Sequence, residues 1–200
     1  RSTWSTAIPS ARNRRKSSPN ALINALFEGR MIVHKHPYSV LTTANVQGQL
    51  IFTPCPGTKD TSVAEALDSL KEAGASALLT LMPTEELSQN EVENLPEQCQ
   101  QHGIEWFHLP VEDDQAPAEP FQAAWEANRE QIKQLLTEGK NIAIHCKGGS
   151  GRTGLIAAQL LIECGVPFRQ AVSEVQALRP RAIQHLAHIN YISQFDVAKS

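Results

Sequence analysis

One cysteine stands where it could act as a nucleophile beside a bound anion. Cys146 follows the short apolar run 142–145 and precedes a glycine-rich segment that ends at Arg152 and Thr153. The run is typical of a buried strand, and the apolar residues after Thr153 are typical of a buried helix. A glycine-rich turn between a strand and a helix directs backbone N–H groups and the positive helix end towards one point. The spacing therefore predicts a thiol nucleophile next to a site for a phosphate-like anion.

The same segment carries a residue that can grip the anion. Arg152 lies six residues after Cys146, and its planar guanidinium can donate two parallel hydrogen bonds to a phosphoryl group. A buried structural cysteine beside a solvated arginine is the alternative, but the full string of glycines between strand and helix is far more specific than Cys-x5-Arg. We predict that phosphate is bound by the loop residues Lys147, Gly148, Gly149, Ser150, Gly151 and Arg152.

The string HCKGGSGRTG, residues 145–154, resembles the phosphate-binding loop of the cysteine-dependent protein tyrosine phosphatases. In that superfamily the resemblance is to the dual-specificity type, and in particular to its kinase-associated members. It implies that Cys146 is the nucleophile, that Arg152 clamps the phosphate and that Thr153 helps the thiolate to leave. It also implies a phosphocysteine intermediate without a cofactor. The resemblance extends over roughly three-quarters of the chain, with further similar segments around residues 56–57, 86–88, 100–104, 108–113, 182–184 and 190–191, although only the catalytic loop is highly specific.

A second loop offers the acid that phosphoester cleavage needs. Residues 110–120 contain four carboxylates between prolines, among them Glu112, Asp113 and Asp114. A departing alkoxide or phenoxide requires a proton, and a carboxylic acid beside the site can donate it and later activate water. Taken alone, each of these residues also fits a solvated turn that caps the next helix. The resemblance implies that Asp113 is the acid, with Asp114 as the second candidate.

Two more residues are expected to support the reaction. His145 is predicted to orient the cysteine loop by hydrogen bonding. Gln184 resembles the glutamine with which the family positions water, although a second such glutamine is replaced here by His188. The pair His185 and His188 has the spacing of a helical metal site, but no cysteine or carboxylate lies nearby at ligand spacing, so we expect no metal.

The elements that must position these loops alternate between strands and helices. Loops after neighbouring parallel strands emerge at one edge of a sheet, so the loops after Leu109 and His145 can face each other. This order predicts an α/β protein with a mostly parallel central sheet flanked by helices, which the resemblance identifies as the cysteine-phosphatase fold. The predicted strands are 40–43, 50–52, 77–81, 104–109 and 142–145, and the predicted helices are 63–73, 84–87, 95–101, 121–138, 153–162, 168–178 and 183–197.

Charge divides the 200-residue chain into two parts. Residues 1–35 hold seven Lys or Arg against Glu28, a net charge of +6, and the remainder therefore carries −9 of the total of −3. We predict a basic tail over 1–35, either a non-native extension or a transit-like segment, and a dual-specificity phosphatase domain over 36–200. An acidic domain disfavours nucleic acid, and no apolar run is long enough for a bilayer, so neither nucleic acid nor membrane is an expected partner.

The remaining cysteines indicate the compartment. Cys55, Cys99 and Cys164 have no disulfide-framework or metal-ligand spacing, which favours a reducing environment and a cytoplasmic location. We also expect the protein to be a monomer.

We predict a metal-independent phosphatase that hydrolyses phosphotyrosine and phosphoserine or phosphothreonine in proteins, with a phosphorylated kinase as one candidate substrate. Only Tyr38 and Tyr191 occur, neither in a segment resembling the wall of a deep phosphotyrosine cleft. The alternatives are a phosphoinositide phosphatase, a sulfur-transferase or arsenate-reducing loop, and a phosphoprotein-binding pseudophosphatase. The loop with Lys147 is similar to that of the tensin-related phosphoinositide phosphatases, but those have a second lysine where this chain has Ser150, which disfavours the lipid.

Overall fold

The computed structural model describes residues 35–197, so the predicted basic tail lies outside the described residues except for Lys35. Five strands and seven helices occur in this range. The strands are β1 (Ser39–Leu41), β2 (Leu50–Thr53), β3 (Ala75–Thr80), β4 (Glu105–His108) and β5 (Asn141–His145). The helices are α1 (Val63–Glu72), α2 (Thr84–Gln89), α3 (Leu95–Gln101), α4 (Glu119–Thr137), α5 (Gly151–Glu163), α6 (Phe168–Leu178) and α7 (Leu186–Ser193).

The strands form one sheet in the order β1-β2-β5-β3-β4. Only the hairpin of β1 and β2 is antiparallel, with Val40 opposite Ile51, and the other three pairings are parallel. The predicted α/β class and mostly parallel sheet are therefore confirmed. Strand β5 lies between β2 and β3, so the loop after His145 emerges at the centre of the carboxyl edge, where ligands bind in open α/β sheets.

Alternate residues of the central strands face two separate hydrophobic cores. In β5, Ile142 and Ile144 belong to the core that contains α4 to α7. Ala143, which lies between them, belongs to the core with α1 to α3. This two-residue alternation is the geometry of a strand covered on both faces. Burial on both faces explains why the strand before Cys146 reads as a continuous apolar run.

Local signals explain where helix α1 begins and ends. Ser62 caps the helix by accepting the N–H of Glu65 at 3.1 Å, and the Glu65 carboxylate accepts the N–H of Ser62 at 2.9 Å. This reciprocal pair satisfies two N–H groups that no helical carbonyl can reach. Gly74 follows with φ of +93°, a left-handed conformation that ends the helix.

The last predicted helix is shorter than the sequence suggests. We predicted helix over 183–197, but α7 covers only Leu186–Ser193. Ile183 has φ of +56°, which a right-handed helix cannot contain. Ala182 and Ile183 instead form a turn whose two carbonyls accept from the Gln176 amide at 3.2 and 3.4 Å. His185 then caps α7 by accepting the Ala187 N–H.

Helix α5 begins earlier than predicted, at Gly151 rather than at Thr153. Arg152 and Thr153 are therefore residues of its first turn and not of the loop. Gly154 lies where α5 meets the turn after α6, because a Cβ at this position would overlap the Cβ of Ala182. This close approach of α5 and the turn requires glycine.

Candidate active site

The loop after β5 surrounds the sulfur of Cys146. Cys146 is only 4% exposed. Its Sγ accepts hydrogen bonds from the Gly149 N–H at 3.3 Å and from the Thr153 hydroxyl at 3.3 Å. The buried sulfur lies beside the first turn of α5, where the helix dipole is positive. These donors and the dipole all stabilise negative charge on the sulfur, as a nucleophilic thiolate requires.

The glycine-rich loop packs closely against the end of β2. Gly149 has φ of +77°, and a Cβ there would lie 2.5 Å from the carbonyl carbon of Thr53. The Gly149 carbonyl accepts a hydrogen bond from Arg179 Nε at 3.1 Å. The carbonyl of Lys147 accepts the N–H of Cys55 at 3.0 Å. These outward contacts of the carbonyls hold the loop in the conformation that turns the Gly149 N–H towards the sulfur.

A carboxylate from the segment after a neighbouring strand holds Arg152. Glu86, in the helix that follows β3, accepts from Arg152 Nη1 at 2.7 Å and from Nη2 at 2.8 Å. Nη1 also donates to the Val111 carbonyl at 3.0 Å. Burial lowers the pKa of the Arg152 guanidinium, but the hydrogen-bonded Glu86 carboxylate and the nearby Cys146 and Asp113 more than offset this and raise it. The guanidinium is thus a fixed, buried positive charge beside the sulfur.

The second edge of the same guanidinium is free to bind an anion. Within the described residues, Arg152 Nε is buried and has no hydrogen-bond partner. Asp113 Oδ1 lies 3.5 Å from Nε, close enough for an ion pair but not aligned for a hydrogen bond. The Nε–H and the second N–H of Nη2 form a planar fork that matches two phosphoryl oxygens. Glu86 therefore orients the fork without occupying it.

The loop after β4 brings the predicted acid to the same place. The N–H of Val111 donates to the Leu81 carbonyl at 2.8 Å, which extends the strand pairing towards the site. His188 Nε2 donates to the Gln115 carbonyl at 2.9 Å and so fixes the far end of the loop to α7. Between these two points Asp113 is 72% exposed, with one carboxylate oxygen directed at Arg152. Its exposure leaves the carboxyl group open to a substrate.

A buried hydrogen-bond chain supports the loop from below. His145 is fully buried, and its Nδ1 donates to the carbonyl of Cys146 at 2.9 Å. Because a carbonyl can only accept, Nε2 carries no proton and accepts from the Thr80 hydroxyl at 2.7 Å. Thr80 Oγ1 in turn accepts from Trp106 Nε1 at 2.7 Å. The chain of hydrogen bonds runs across β4, β3 and β5 and ends on the backbone of the cysteine loop, and the orienting role of His145 stays a prediction.

Burial makes this chain sensitive to acid. Burial lowers the pKa of His145 to about 4, although the bond to the Cys146 carbonyl opposes the shift. The unfolded chain therefore binds more protons than the folded chain between pH 6.5 and 4. As the pH falls from 6.5 to 4, we expect the free energy of unfolding to fall by up to about 3 kcal/mol. Above pH 6.5 the full contribution of the neutral, buried His145 to stability is present.

Urea unfolding of wild type and His145→Gln at pH 7, 5.5 and 4.5 isolates this contribution from that of other groups. The stability difference between the two proteins should narrow as the pH falls, because only the wild type loses the His145 contribution. A difference that stays constant with pH would contradict the assignment.

The cavity above the sulfur collects most of the residues predicted from the sequence. It has a volume of about 470 Å³. Gln184 is not one of its lining residues, because its side chain is exposed and donates to the Pro180 carbonyl at 3.3 Å, and its role in positioning water stays a prediction. The lining residues are Thr58, Lys59, Asp113, Asp114, Cys146, Lys147, Gly148, Ser150, Gly151, Arg152 and Arg181.

Four residues with evident structural roles at the site were not predicted. Glu86 holds the guanidinium, Thr80 and Trp106 complete the buried chain, and Arg179 ties the loop carbonyl of Gly149 to Ser39 Oγ. Two of them had a signal in the sequence: Glu86 lies in the short helix at the carboxyl edge of a strand next to β5, and Arg179 is a cation at the end of the predicted helix 168–178, where it could add positive potential near the pocket or simply be solvated. Thr80 and Trp106 had none, because they act through contacts between distant segments.

Two other buried cysteines have thiols that resist ionisation. Burial raises the pKa of the Cys55 and Cys99 thiols to about 12, so both stay protonated. Within residues 35–197 no three His, Cys, Asp or Glu side chains gather as metal ligands would. In the same range no helix has the length and apolar character of a membrane span.

A buried cysteine before a glycine loop and a buried arginine in the helix turn after it, at the carboxyl edge of this sheet, define a phosphatase domain of the dual-specificity class. The chain belongs to the family described as "Polymorphic toxin system, DSP-PTPase phosphatase", whose model matches residues 55–166, more than half of the chain. Both the predicted superfamily and the cysteine-phosphatase fold are confirmed.

Curated relatives carry the names of a kinase inhibitor and of tyrosine phosphatases. The chain is 31% identical to cyclin-dependent kinase inhibitor 3 of Rattus norvegicus and of Homo sapiens over 137 residues, which is 67% of this chain and 63% of each relative. It is 30% identical to protein tyrosine phosphatase type IVA 2 of Mus musculus over 105 residues, 48% of this chain and 62% of that protein. The chain thus spans less than two thirds of these relatives' own length.

Solved structures show the same fold. The kinase associated phosphatase, with its catalytic cysteine changed to serine, has a TM-score of 0.71 and 29% identity, over 81% of this chain and 94% of that chain. Human DUSP28 has a TM-score of 0.56 and 18% identity, over 84% of this chain and 99% of that one.

Proposed function

We propose that this protein hydrolyses phosphomonoesters of tyrosine and of serine or threonine in proteins, without a metal and through a phosphocysteine intermediate. The observation that carries the proposal is the pairing of the hydrogen-bonded sulfur of Cys146 with the orphaned Nε edge of the buried Arg152. A dianion seated on this fork and on the loop N–H groups would hold its phosphorus atom next to the sulfur.

In the first step, the Cys146 thiolate attacks phosphorus, so that the P–S bond forms as the P–O bond to the substrate breaks. Asp113, in its carboxylic acid form, donates a proton to the departing oxygen. The substrate leaves as a neutral phenol or alcohol, and the phosphoryl group stays on sulfur. Arg152 and the loop N–H groups bind the equatorial oxygens, where charge accumulates in the transition state.

In the second step, water attacks phosphorus on the side that the substrate vacated. Asp113, now a carboxylate, accepts a proton from the water, and the P–S bond breaks as phosphate forms. The Thr153 hydroxyl, 3.3 Å from Sγ, stabilises the thiolate as it leaves. The enzyme has then returned to its starting state, because Asp113 has regained the proton that it donates to the next leaving group.

A substrate panel tests the proposal. With EDTA present, we expect phosphotyrosine and phosphothreonine peptides both to be hydrolysed, and phosphoinositides in vesicles to be turned over less efficiently. The comparison is of kcat/KM for the three substrates. A phosphoinositide preference of about tenfold or more, which is about 1.4 kcal/mol of transition-state stabilisation, would favour the lipid phosphatase instead.

The role of Asp113 is tested by its dependence on the leaving group. We expect Asp113→Asn to lower kcat about 100-fold for a phosphothreonine peptide but less than about tenfold for an activated aryl phosphate, because only the alkoxide needs a proton. Asp114→Asn is the matched control, since Asp114 lines the same cavity. Equal losses on both substrates with Asp113→Asn, or the leaving-group dependence in Asp114→Asn, would move the role away from Asp113.

The biological setting is part of the same proposal. The relatives' names support a phosphoprotein substrate, with a phosphorylated kinase as a candidate. We assign the activity to a domain over residues 36–200. The cytoplasmic location, the monomeric state and the absence of nucleic-acid and membrane partners stay predictions.

A further inference from the structure

A single exposed turn carries the proposed acid, Asp113. The Glu112 carbonyl accepts the N–H of Gln115 at 3.3 Å, so Asp113 and Asp114 are the two central residues of the turn. Asp114 has φ of +58°, a left-handed conformation that residues other than glycine adopt where neighbouring contacts hold it. Because residues 112–115 are all exposed, packing does not fix the turn. The position of the Asp113 carboxyl therefore depends on the hydrogen bonds at the two ends of the turn.

Both ends of this turn are held by side chains from helices. Before the turn, the Val111 carbonyl accepts from Arg152 Nη1 at 3.0 Å. At its end, the Gln115 carbonyl accepts from His188 Nε2 at 2.9 Å. Asp113 lies two residues from each of these contacts, and Gln115 uses both of its backbone polar groups, one to close the turn and one to hold it. His188 thus supplies the second of two anchors.

The helix that supplies this anchor is itself held to α5. His188 lies in the first turn of α7 and is only 4% exposed. Three residues further along α7, the Tyr191 hydroxyl donates to Gln159 Oε1 of α5 at 2.7 Å, in a buried contact. Arg152 is in the first turn of the same helix. Both anchors of the acid turn therefore lead back to the helix that carries the phosphate clamp.

His188 has the contact of a backbone anchor and not that of a group that positions water. Burial lowers the pKa of His188, although the bond to the Gln115 carbonyl opposes the shift. The proton of the neutral ring must be on Nε2, because the carbonyl can only accept. Among the described residues, those that line the cavity above Cys146 do not include His188. The position of the second family glutamine thus has a different contact in this chain.

We propose that His188 is a positioning residue for the acid: its hydrogen bond to the Gln115 carbonyl holds the turn 112–115 so that the Asp113 carboxyl faces the departing oxygen of the substrate. This inference rests on the proposed phosphatase activity. His188 exchanges no proton with the substrate, since the proton passes from Asp113 to the leaving group. Without the anchor, the exposed turn samples other positions, and only a fraction of the molecules has the acid in place.

Two substitutions at His188 separate its hydrogen bond from its packing. Methionine and glutamine both fill the space with an unbranched side chain, but only the glutamine amide can donate to the Gln115 carbonyl. We expect His188→Met to lower kcat about fivefold for a phosphothreonine peptide, with KM unchanged, and less than about twofold for an activated aryl phosphate, which needs no proton. His188→Gln should stay within about twofold of the wild type on both substrates.

A double variant shows whether His188 acts through Asp113. In an Asp113→Asn background no acid is left to position, so adding His188→Met should not lower kcat for the phosphothreonine peptide further. A residue that positions water, or that only stabilises the fold, would lower it again. His185→Met is the matched control, because it removes an imidazole of the same helix that caps α7 at the Ala187 N–H, and it should keep the wild-type ratio of the two kcat values. Thermal unfolding verifies the folding of each variant.

The possible results separate this inference from the proposed function. Equal losses on both substrates in His188→Met, no difference between the Met and Gln variants, or a further loss in the Asp113→Asn background would each overturn the positioning role while leaving the phosphatase activity intact. If Asp113→Asn shows no dependence on the leaving group, the acid is elsewhere and the role of His188 fails with it. If the wild type hydrolyses neither substrate, the proposed function itself fails.

Discussion

Replacing Cys146 with serine should lower the turnover of an aryl phosphate and of a phosphotyrosine peptide by at least about 10³-fold. A hydroxyl does not ionise where a thiol does, so the donors around Sγ no longer have a charge to stabilise. Binding should persist, because the Arg152 fork and the loop N–H groups do not depend on the sulfur. Loss of the negative sulfur should even tighten the binding of a phosphate dianion. Steady-state kinetics and calorimetric titration with the phosphopeptide measure the two effects.

Cys164→Ser is the matched control for this substitution. Cys164 is a half-buried thiol that caps the far end of α5, outside the cavity. Activity close to wild type is expected for it. If Cys146→Ser retained substantial turnover, or if Cys164→Ser lost it, the proposed nucleophile would be wrong.

Arg152→Lys should lower kcat/KM by about 10²- to 10³-fold and weaken the binding of inorganic phosphate, although the positive charge is kept. One ammonium cannot donate to both Glu86 oxygens, to the Val111 carbonyl and to a phosphate at the same time. The contacts at 2.7, 2.8 and 3.0 Å would be broken in part, and Glu86 would compete with the substrate for the shorter side chain. Kinetics and phosphate titration again provide the measurement.

Two further variants provide a control for Arg152→Lys and a test of the Glu86 contact. Arg169→Lys makes the same chemical change at an exposed position of α6 and should be neutral. Glu86→Gln should give a smaller loss than Arg152→Lys, because an amide can still accept one hydrogen bond from the guanidinium but no longer aligns both of its ends. Near-normal phosphate affinity in Arg152→Lys would rule out phosphate binding by the Arg152 guanidinium. Unchanged kinetics in Glu86→Gln would rule out a role for Glu86 in positioning that guanidinium.

The part of the site that lies within one continuous segment could be predicted from the sequence. Cys146, Gly149, Arg152 and Thr153 are neighbours in the chain, and the strand–loop–helix pattern that positions them depends on local periodicity and glycine. The contacts of Gly149 and Thr153 with Sγ agree with that prediction. The order of strands and helices likewise indicated the parallel sheet, because strand and helix periodicities differ.

The contacts that hold this segment could not be predicted, because they join distant positions. Glu86 is 66 residues from Arg152, and Thr80 is 65 residues from His145. No spacing rule links such pairs, since they depend on the register between β3 and β5, in which Thr80 lies opposite His145. The helix predicted over 183–197 failed for a related reason: Ala182 packs against Gly154, and the turn that this contact requires overrides the local helical preference.

The buried chain of hydrogen bonds below the loop contains a natural spectroscopic label. The protein has three tryptophans in all. Of the two described ones, Trp125 Nε1 has no hydrogen-bond partner among residues 35–197, whereas Trp106 donates to Thr80 and stacks on His108 with ring centroids 5.1 Å apart. Their indole N–H resonances should therefore be well separated in a nitrogen-15 spectrum. A shift confined to the Trp106 signal would report movement of the Cys146 carbonyl, because Thr80 and His145 connect the two groups. Trp106 lies in the edge strand β4, so the loop itself needs no label.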